Sequence, residues 1–315
     1  LGDFERAGVL DNVILVLLSD HSHSDVKRHF DLTKFVETLL HQKTPDIRYC
    51  DNYEPEYRRK YYDKFNVIIT GSGERYRAIS LRKYGGPFGQ FANTYAPWSE
   101  RPEFSAEPLF SGSKGSIDLL RPLLQQPAVD AVAWPVEEYG VRIATRGGIM
   151  EFTQQKGAIQ YRRIKGDDPL GYRAAIAPYH KEKKIAERQP ATDTGSPGKV
   201  RTKNTERFTL SPREWLEITH DTDYPDLPAQ ILAYFRSPRA GDLIVFAAPG
   251  WDFGGVHKGG HGGIRAYEDM HVPLLLAGPG VPKGRVKVAR TVDLAPTLLT
   301  LLGKPVPETF DGQSL

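Results

Sequence analysis

Asn12–His21, NVILVLLSDH, is the stretch on which the fold turns. Asp11-Asn12 signals a turn, and Val13–Leu18 follows as an apolar run without alternation. A β-rich run of that kind predicts a strand buried on both faces, as in a parallel sheet covered by helices. It ends in Ser19-Asp20-His21-Ser22-His23-Ser24-Asp25. Polar groups just past the C-terminal end of a parallel strand are where α/β proteins place their sites. Asp31 then caps a helix with Leu32, Phe35, Val36, Leu39 and Leu40 on one face.

The same α/β rhythm returns from about residue 208. Ser211-Pro212 opens a helix and Leu227–Phe235 forms another. Asp242–Ala247 reads as a buried strand, followed by a glycine-rich loop, Gly254–Gly263, that holds His257 and His261. Val272–Ala277 is a strand leading into Gly278-Pro279-Gly280. Val292–Leu302 is a helix with Leu294, Leu298, Leu299 and Leu302 facing inward, ended by Gly303. Residues 50–207 read differently. Val67–Ile69, Ala78–Leu81, Val129–Trp134 and Val141–Ile143 are short strands, and Gly115–Leu124 is a helix candidate. Trp134–Tyr161 forms a small meander turning at Gly147-Gly148, and the charged stretch His180–Arg207 is an exposed loop. The expected organisation is therefore 1–49 as part of an α/β core, 50–207 as an inserted α+β cap, and 208–315 as the C-terminal part of the core.

Composition removes several function classes. The net charge of +3 over 315 residues gives no global field for a nucleic acid polymer or an anionic membrane. No apolar run reaches membrane-spanning length. The single cysteine, Cys50, excludes a disulfide within the chain, and it reads as packing rather than as a nucleophile. Nothing in the sequence fixes a compartment. The chain starts at Leu1 rather than Met, so residue 1 is not expected to be the true start of the polypeptide.

Few residues carry candidate chemistry. Asp20-His21 sets a carboxylate beside an imidazole at a strand end, a pair suited to one divalent ion, although a loop hydrogen bond explains a bare dipeptide equally simply. His23 lies two residues on. His257 and His261 have i, i+4 spacing but sit in a glycine loop, so a helical zinc pair is ruled out. Asp293 reads as the N-cap of the last helix, and Asp167-Asp168 before Pro169 as a turn. Tyr84, Phe88, Tyr95 and Trp98 stack on a base or aryl group or pack the insert's own small core.

Two pieces fit a known pattern together. NVILVLLSDH resembles the strand and Asp-His metal motif of the type I phosphodiesterase/nucleotide pyrophosphatases, in the alkaline phosphatase superfamily. The stretch from His261 onward, with VPLLLAGPG, TVDLAPTLLTLLG and a closing DGQSL, resembles that superfamily's C-terminal segment. The resemblance implies an alkaline phosphatase-like mixed, mostly parallel sheet flanked by helices. It implies Asp20 and His21 as ligands of one ion and His261 as a ligand of the other. Two divalent ions, zinc before manganese or iron, would serve in-line hydrolysis of a small-molecule phosphate ester. The family's Thr or Ser nucleophile precedes the motif matched here, so the resemblance places it in a missing N-terminal part of the same polypeptide. Ser22-His23-Ser24 departs from the family, which has glycine after Asp-His. The alternatives are a sulfatase, whose nucleophile is a Cys or Ser converted to formylglycine, a phosphomutase, or a non-catalytic domain that keeps the fold.

Overall fold

The computed structural model describes residues 1–42, 49–51, 65–71, 73–85, 95–104, 107–112, 114–136, 140–183, 207–254 and 258–315. The chain forms two compact units, one of Leu1–Ser22 with Met270–Leu315, the other of His23–Asp269.

Among the described residues, the larger unit is built on a sheet of nine strands. Its strands are β1 (Tyr49–Asp51), β2 (Val67–Thr70), β3 (Tyr76–Leu81), β4 (Val129–Val136), β5 (Gly140–Thr145), β6 (Gly148–Gln155), β7 (Ala158–Gly166), β8 (Arg207–Leu210) and β9 (Leu243–Ala247). The spatial order is β8-β7-β6-β5-β4-β9-β3-β2-β1. Every pairing is antiparallel except β1 with β2. The mostly parallel sheet expected from sequence is thus corrected to a mostly antiparallel one, within a mixed α/β unit.

Side-chain alternation explains the two cores. In β9, Leu243, Val245 and Ala247 join one buried cluster, whereas Ile244 and Phe246 join the other. The first face is covered by helix α1 (Leu32–His41), through Leu32, Val36 and Leu40, and by α2 (Leu120–Gln125), through Leu120 and Leu123. Helix α3 (Tyr172–Lys183) covers the other face through Tyr172 and Ile176. It is joined there by α4 (Pro212–Thr219), through Trp215, and by α5 (Leu227–Arg236), through Leu227, Ile231 and Leu232. The buried strand expected over Asp242–Ala247 is therefore β9, covered on both faces, with neighbours β3 and β4 antiparallel to it. β9 lies between β3 and β4, so this sheet joins strands from residues 50–207 with one from 208–315.

Local signals were obeyed where one side chain suffices. Asp31 Oδ1 accepts from Lys34 N at 2.8 Å and caps α1. Ser211 and Glu214 form a reciprocal capping box on α4, with Pro212 at its first position. The meander runs from β4 to β7, turning at Arg146-Gly147 and at Lys156-Gly157. Gly115–Leu124 is instead the strand Gly115–Asp118 followed by α2. Helix α3 extends through Lys183 into the stretch read as a loop, whose residues 184–206 lie outside the described residues.

In the smaller unit, Leu15–Leu18 pairs antiparallel with Leu274–Ala277 as a two-stranded ribbon. Val16, Leu17 and Leu18 are exposed, which corrects the expectation of a strand buried on both faces. Asp293 is buried, and its carboxylate does not cap the helix Leu294–Leu301. It accepts from Arg290 N at 2.8 Å and from Gln313 N at 3.0 Å. Thr297 Oγ1 accepts from Leu315 N at 3.1 Å, so the DGQSL tail is tied back onto this helix.

Two buried carboxylates make checkable demands on stability. Arg75 and Asp269 are fully buried against each other, with Nε–Oδ1 at 2.6 Å and Nη2–Oδ2 at 3.2 Å. Replacing Arg75 by Leu strands an unpaired buried charge, and the unfolding free energy from urea titration should fall by about 3–5 kcal/mol. Asp242 is buried beside β3, and desolvation pushes its pKa up to about 6 against the pull of Leu81 N–H and Arg101. The folded state therefore holds this proton more tightly than the unfolded chain. The resulting stabilisation is complete below about pH 4 and lost as pH rises through about 6. Asp242→Asn should abolish that slope and unfold at higher denaturant than wild type at pH 8, by on the order of 1–3 kcal/mol.

Candidate functional site

In the smaller unit, the turn after Leu18 brings Asp20 and His21 together. Ser19 Oγ donates to His21 O at 2.7 Å, and His21 N donates to Asp20 Oδ1 at 3.1 Å, so the turn fixes its own shape. His21 Nδ1 lies 2.8 Å from Ser22 O. A carbonyl only accepts, so Nδ1 carries the proton and the ring's lone pair is on Nε2. Nε2 lies 3.6 Å from Asp20 Oδ2. Two donors on one tetrahedral ion at about 2.1 Å are separated by about 3.4 Å, so this pair fits two corners of such a site. The Ser22 carbonyl is the outer partner that commonly orients a ligating imidazole. Asp20 is 86% exposed and His21 41%, which leaves both open to an ion from solvent.

The larger unit contains His261. Its N donates to Glu74 Oε2 at 3.4 Å, and its Nε2 lies 3.7 Å from the same oxygen. Arg75 N donates to His261 O at 3.0 Å, which pins the loop to the start of β3. His23 is exposed and packs on the short strand Gly259–Gly260, where a Cβ on Gly259 would come within 2.2 Å of its Nε2. His257 lies outside the described residues. The structure thus pairs Asp20 with His21 and gives His261 a carboxylate partner, Glu74. Among the described residues no group of three or more His, Cys, Asp or Glu side chains is assembled to hold an ion.

Other candidates resolve into structure. Asp168 accepts from Tyr161 OH and from Arg173 N, as its turn reading requires. Tyr84 and Tyr95 meet edge to face at 5.3 Å, and Tyr95 stacks on Phe110, so these rings pack on one another. Arg82 lies over the Trp98 ring, and Phe88 is outside the described residues. Among the described residues no helix is long and apolar enough to cross a membrane.

Sequence reasoning missed Glu74, His29 and Asp252. His29 Nδ1 donates to Asp252 Oδ1 at 2.8 Å across the short parallel pairing of Arg28–His29 with Trp251–Asp252. The signals available were a glutamate after Gly71 and Gly73, and a polar residue shortly past the buried strand β9.

Comparison with known proteins gives a short but consistent match. The chain is similar to an extracellular sulfatase SULF-1 homolog of Drosophila melanogaster, 38% identical over 68 residues. It is likewise similar to a putative extracellular sulfatase Sulf-1 homolog of Caenorhabditis elegans, at 37% over 68 residues. An arylsulfatase of Volvox carteri is 39% identical over 67 residues. Each match covers 19% of this chain and only 6–10% of the relative. No protein-family model matches, and no solved structure gives a significant match. Sulfatases belong to the alkaline phosphatase superfamily, so these relatives agree with the superfamily resemblance and not with its nucleotide pyrophosphatase branch.

If Asp20 and His21 share an ion, each contributes directly to affinity. Asp20→Ala and His21→Ala should each weaken zinc binding by this chain roughly 10-fold or more in a competition titration with a chromophoric chelator. Unchanged affinity in both variants would reduce the pair to a loop hydrogen bond.

Proposed function

We propose that this chain supplies metal ligands to a hydrolase of sulfate or phosphate esters of the alkaline phosphatase superfamily, with sulfate esters as the first choice. The observation that carries this reading is the similarity to three sulfatases at 37–39% identity. In it, Asp20 and His21 are ligands of one divalent ion and His261 is a ligand of a second. Such ions, when bound, neutralise charge on the ester oxygens and on the leaving group. Asp20 supplies the anionic donor, and the hydrogen bond from His21 Nδ1 to Ser22 O holds Nε2 ready as the neutral donor. Glu74 accepts from the His261 main-chain N–H and so fixes the backbone that carries this imidazole. No residue of this chain is assigned as nucleophile. Cys50 lies in β1.

A phosphodiesterase is the second reading, favoured by the likeness of NVILVLLSDH to the pyrophosphatase motif. One experiment separates the two. Elemental analysis of the full-length gene product is paired with hydrolysis of p-nitrophenyl sulfate and of bis-p-nitrophenyl phosphate. The expected result is bound divalent metal and faster turnover of the sulfate, with both metal and turnover reduced in Asp20→Ala and His261→Ala. Preference for the phosphate diester would move the assignment to the second reading. A metal-free protein inert toward both esters would leave a non-catalytic domain.

A further inference from the structure

His29 and Asp252 form a second imidazole–carboxylate pair in the larger unit. The Asp252 side chain is 0% exposed and that of His29 is 38% exposed. Asp252 Oδ1 accepts a hydrogen bond from His29 Nδ1–H, while Oδ2 is buried and has no hydrogen-bond partner among the described residues. A buried carboxylate with one donor and one orphaned oxygen costs stability, and packing alone gains nothing from it. What it gains is a fixed imidazole. Nδ1–H is locked onto the carboxylate, and Nε2 is the ring nitrogen left for a further partner. Backbone geometry holds both partners still, with Phe30 N donating to Asp252 O at 3.0 Å and Arg28 N donating to Gly250 O at 3.1 Å.

The pair borders the Glu74–His261 pair. A Cβ on Gly254 would stand 3.4 Å from Asp252 Oδ2 and 3.4 Å from Glu74 Cγ. Phe253 N donates to Glu74 O at 2.8 Å. Charged neighbours are Glu74 on this side and Arg28, whose guanidinium lies 4.3 Å over the Trp251 ring.

We propose that His29 is a catalytic proton donor and Asp252 its positioning residue, a role that rests on the hydrolase reading above. As an incoming oxygen bonds to sulfur and the bond between sulfur and the leaving oxygen breaks, the electron pair of the broken bond goes to the leaving oxygen, which takes the Nε2 proton of the His29 imidazolium. His29 ends neutral with Nδ1–H still on Asp252, and the water consumed in hydrolysis returns the proton. The natural substrates are then esters of poorly acidic alcohols, because a good leaving group needs no proton.

The test compares phenyl sulfate, a poor leaving group, with p-nitrophenyl sulfate, a good one, using the full-length gene product. His29→Asn should lose about 100-fold or more in kcat/KM on phenyl sulfate and only a few-fold on p-nitrophenyl sulfate. Asp252→Asn keeps an acceptor for Nδ1–H but removes the charge, so it should lose on the order of 10-fold on phenyl sulfate alone. The same variant should lower the apparent pKa of His29, followed by NMR, by about one unit. Equal losses on both esters, or an unmoved His29 titration, would overturn the role of His29 and leave the hydrolase reading standing. A wild-type protein inert toward both esters would remove that reading and this role with it.

Discussion

The buried pair of Arg75 with Asp269 is the interaction on which the larger unit's candidate chemistry depends. The guanidinium spends two donors on Asp269, and its remaining N–H groups reach the carbonyls of Ala247, Ala248 and Trp251. One side chain thus joins the start of β3, the end of β9 and the segment that closes at Asp269. Glu74 precedes Arg75, and Asp252 follows Trp251, so both carboxylates that lie beside imidazoles are neighbours of anchored backbone. Two charges without solvent are an expensive way to stiffen a fold, and a hydrophobic replacement of similar volume would often be as stable. What the ion pair adds is direction, because a fork-shaped guanidinium accepts only one arrangement of the carbonyls around it.

Much of the fold was legible because burial leaves a period in the sequence. Asp242–Ala247 was read as a buried strand, and β9 is that strand. The reading of Val13–Leu18 used the same signal and went wrong: the run is a strand, but Val16, Leu17 and Leu18 are exposed. Periodicity states which residues avoid water in the finished protein and is silent on which element covers them. It is equally silent on strand direction. Residues flanked by antiparallel partners and covered by helices on both faces show the same unbroken apolar run as a parallel strand. The sheet therefore came out antiparallel although each strand of its centre had been located.

The candidate site was legible where its parts are adjacent in sequence. Asp20 and His21 are neighbours, so a turn alone brings them to 3.6 Å. Glu74 with His261 is a contact across 187 residues, and His29 with Asp252 one across 223. No local spacing encodes either. His29 was further hidden by its company, since His21 and His23 offered a more obvious cluster just upstream. Asp252 resembles an ordinary turn residue until its burial is known.

The glycine loop shows how a correct flag can carry the wrong reason. The run from Gly254 to Gly263 suggested backbone angles that only glycine adopts, and among its described residues Gly262, with φ of +90°, fits that account. Gly260 and Gly263 are glycine for want of room. A Cβ on Gly260 would press on Arg75 Cγ at 3.1 Å and on Val26, and one on Gly263 would overlap the Asp269 carboxylate at 2.2 Å. These residues let the loop lie directly on the buried ion pair. Residues 258–263 therefore pack on Arg75–Asp269, and His261 takes its position from that packing. An imidazole so placed loses little further entropy when it binds, which is the property a ligand or an acid–base group needs.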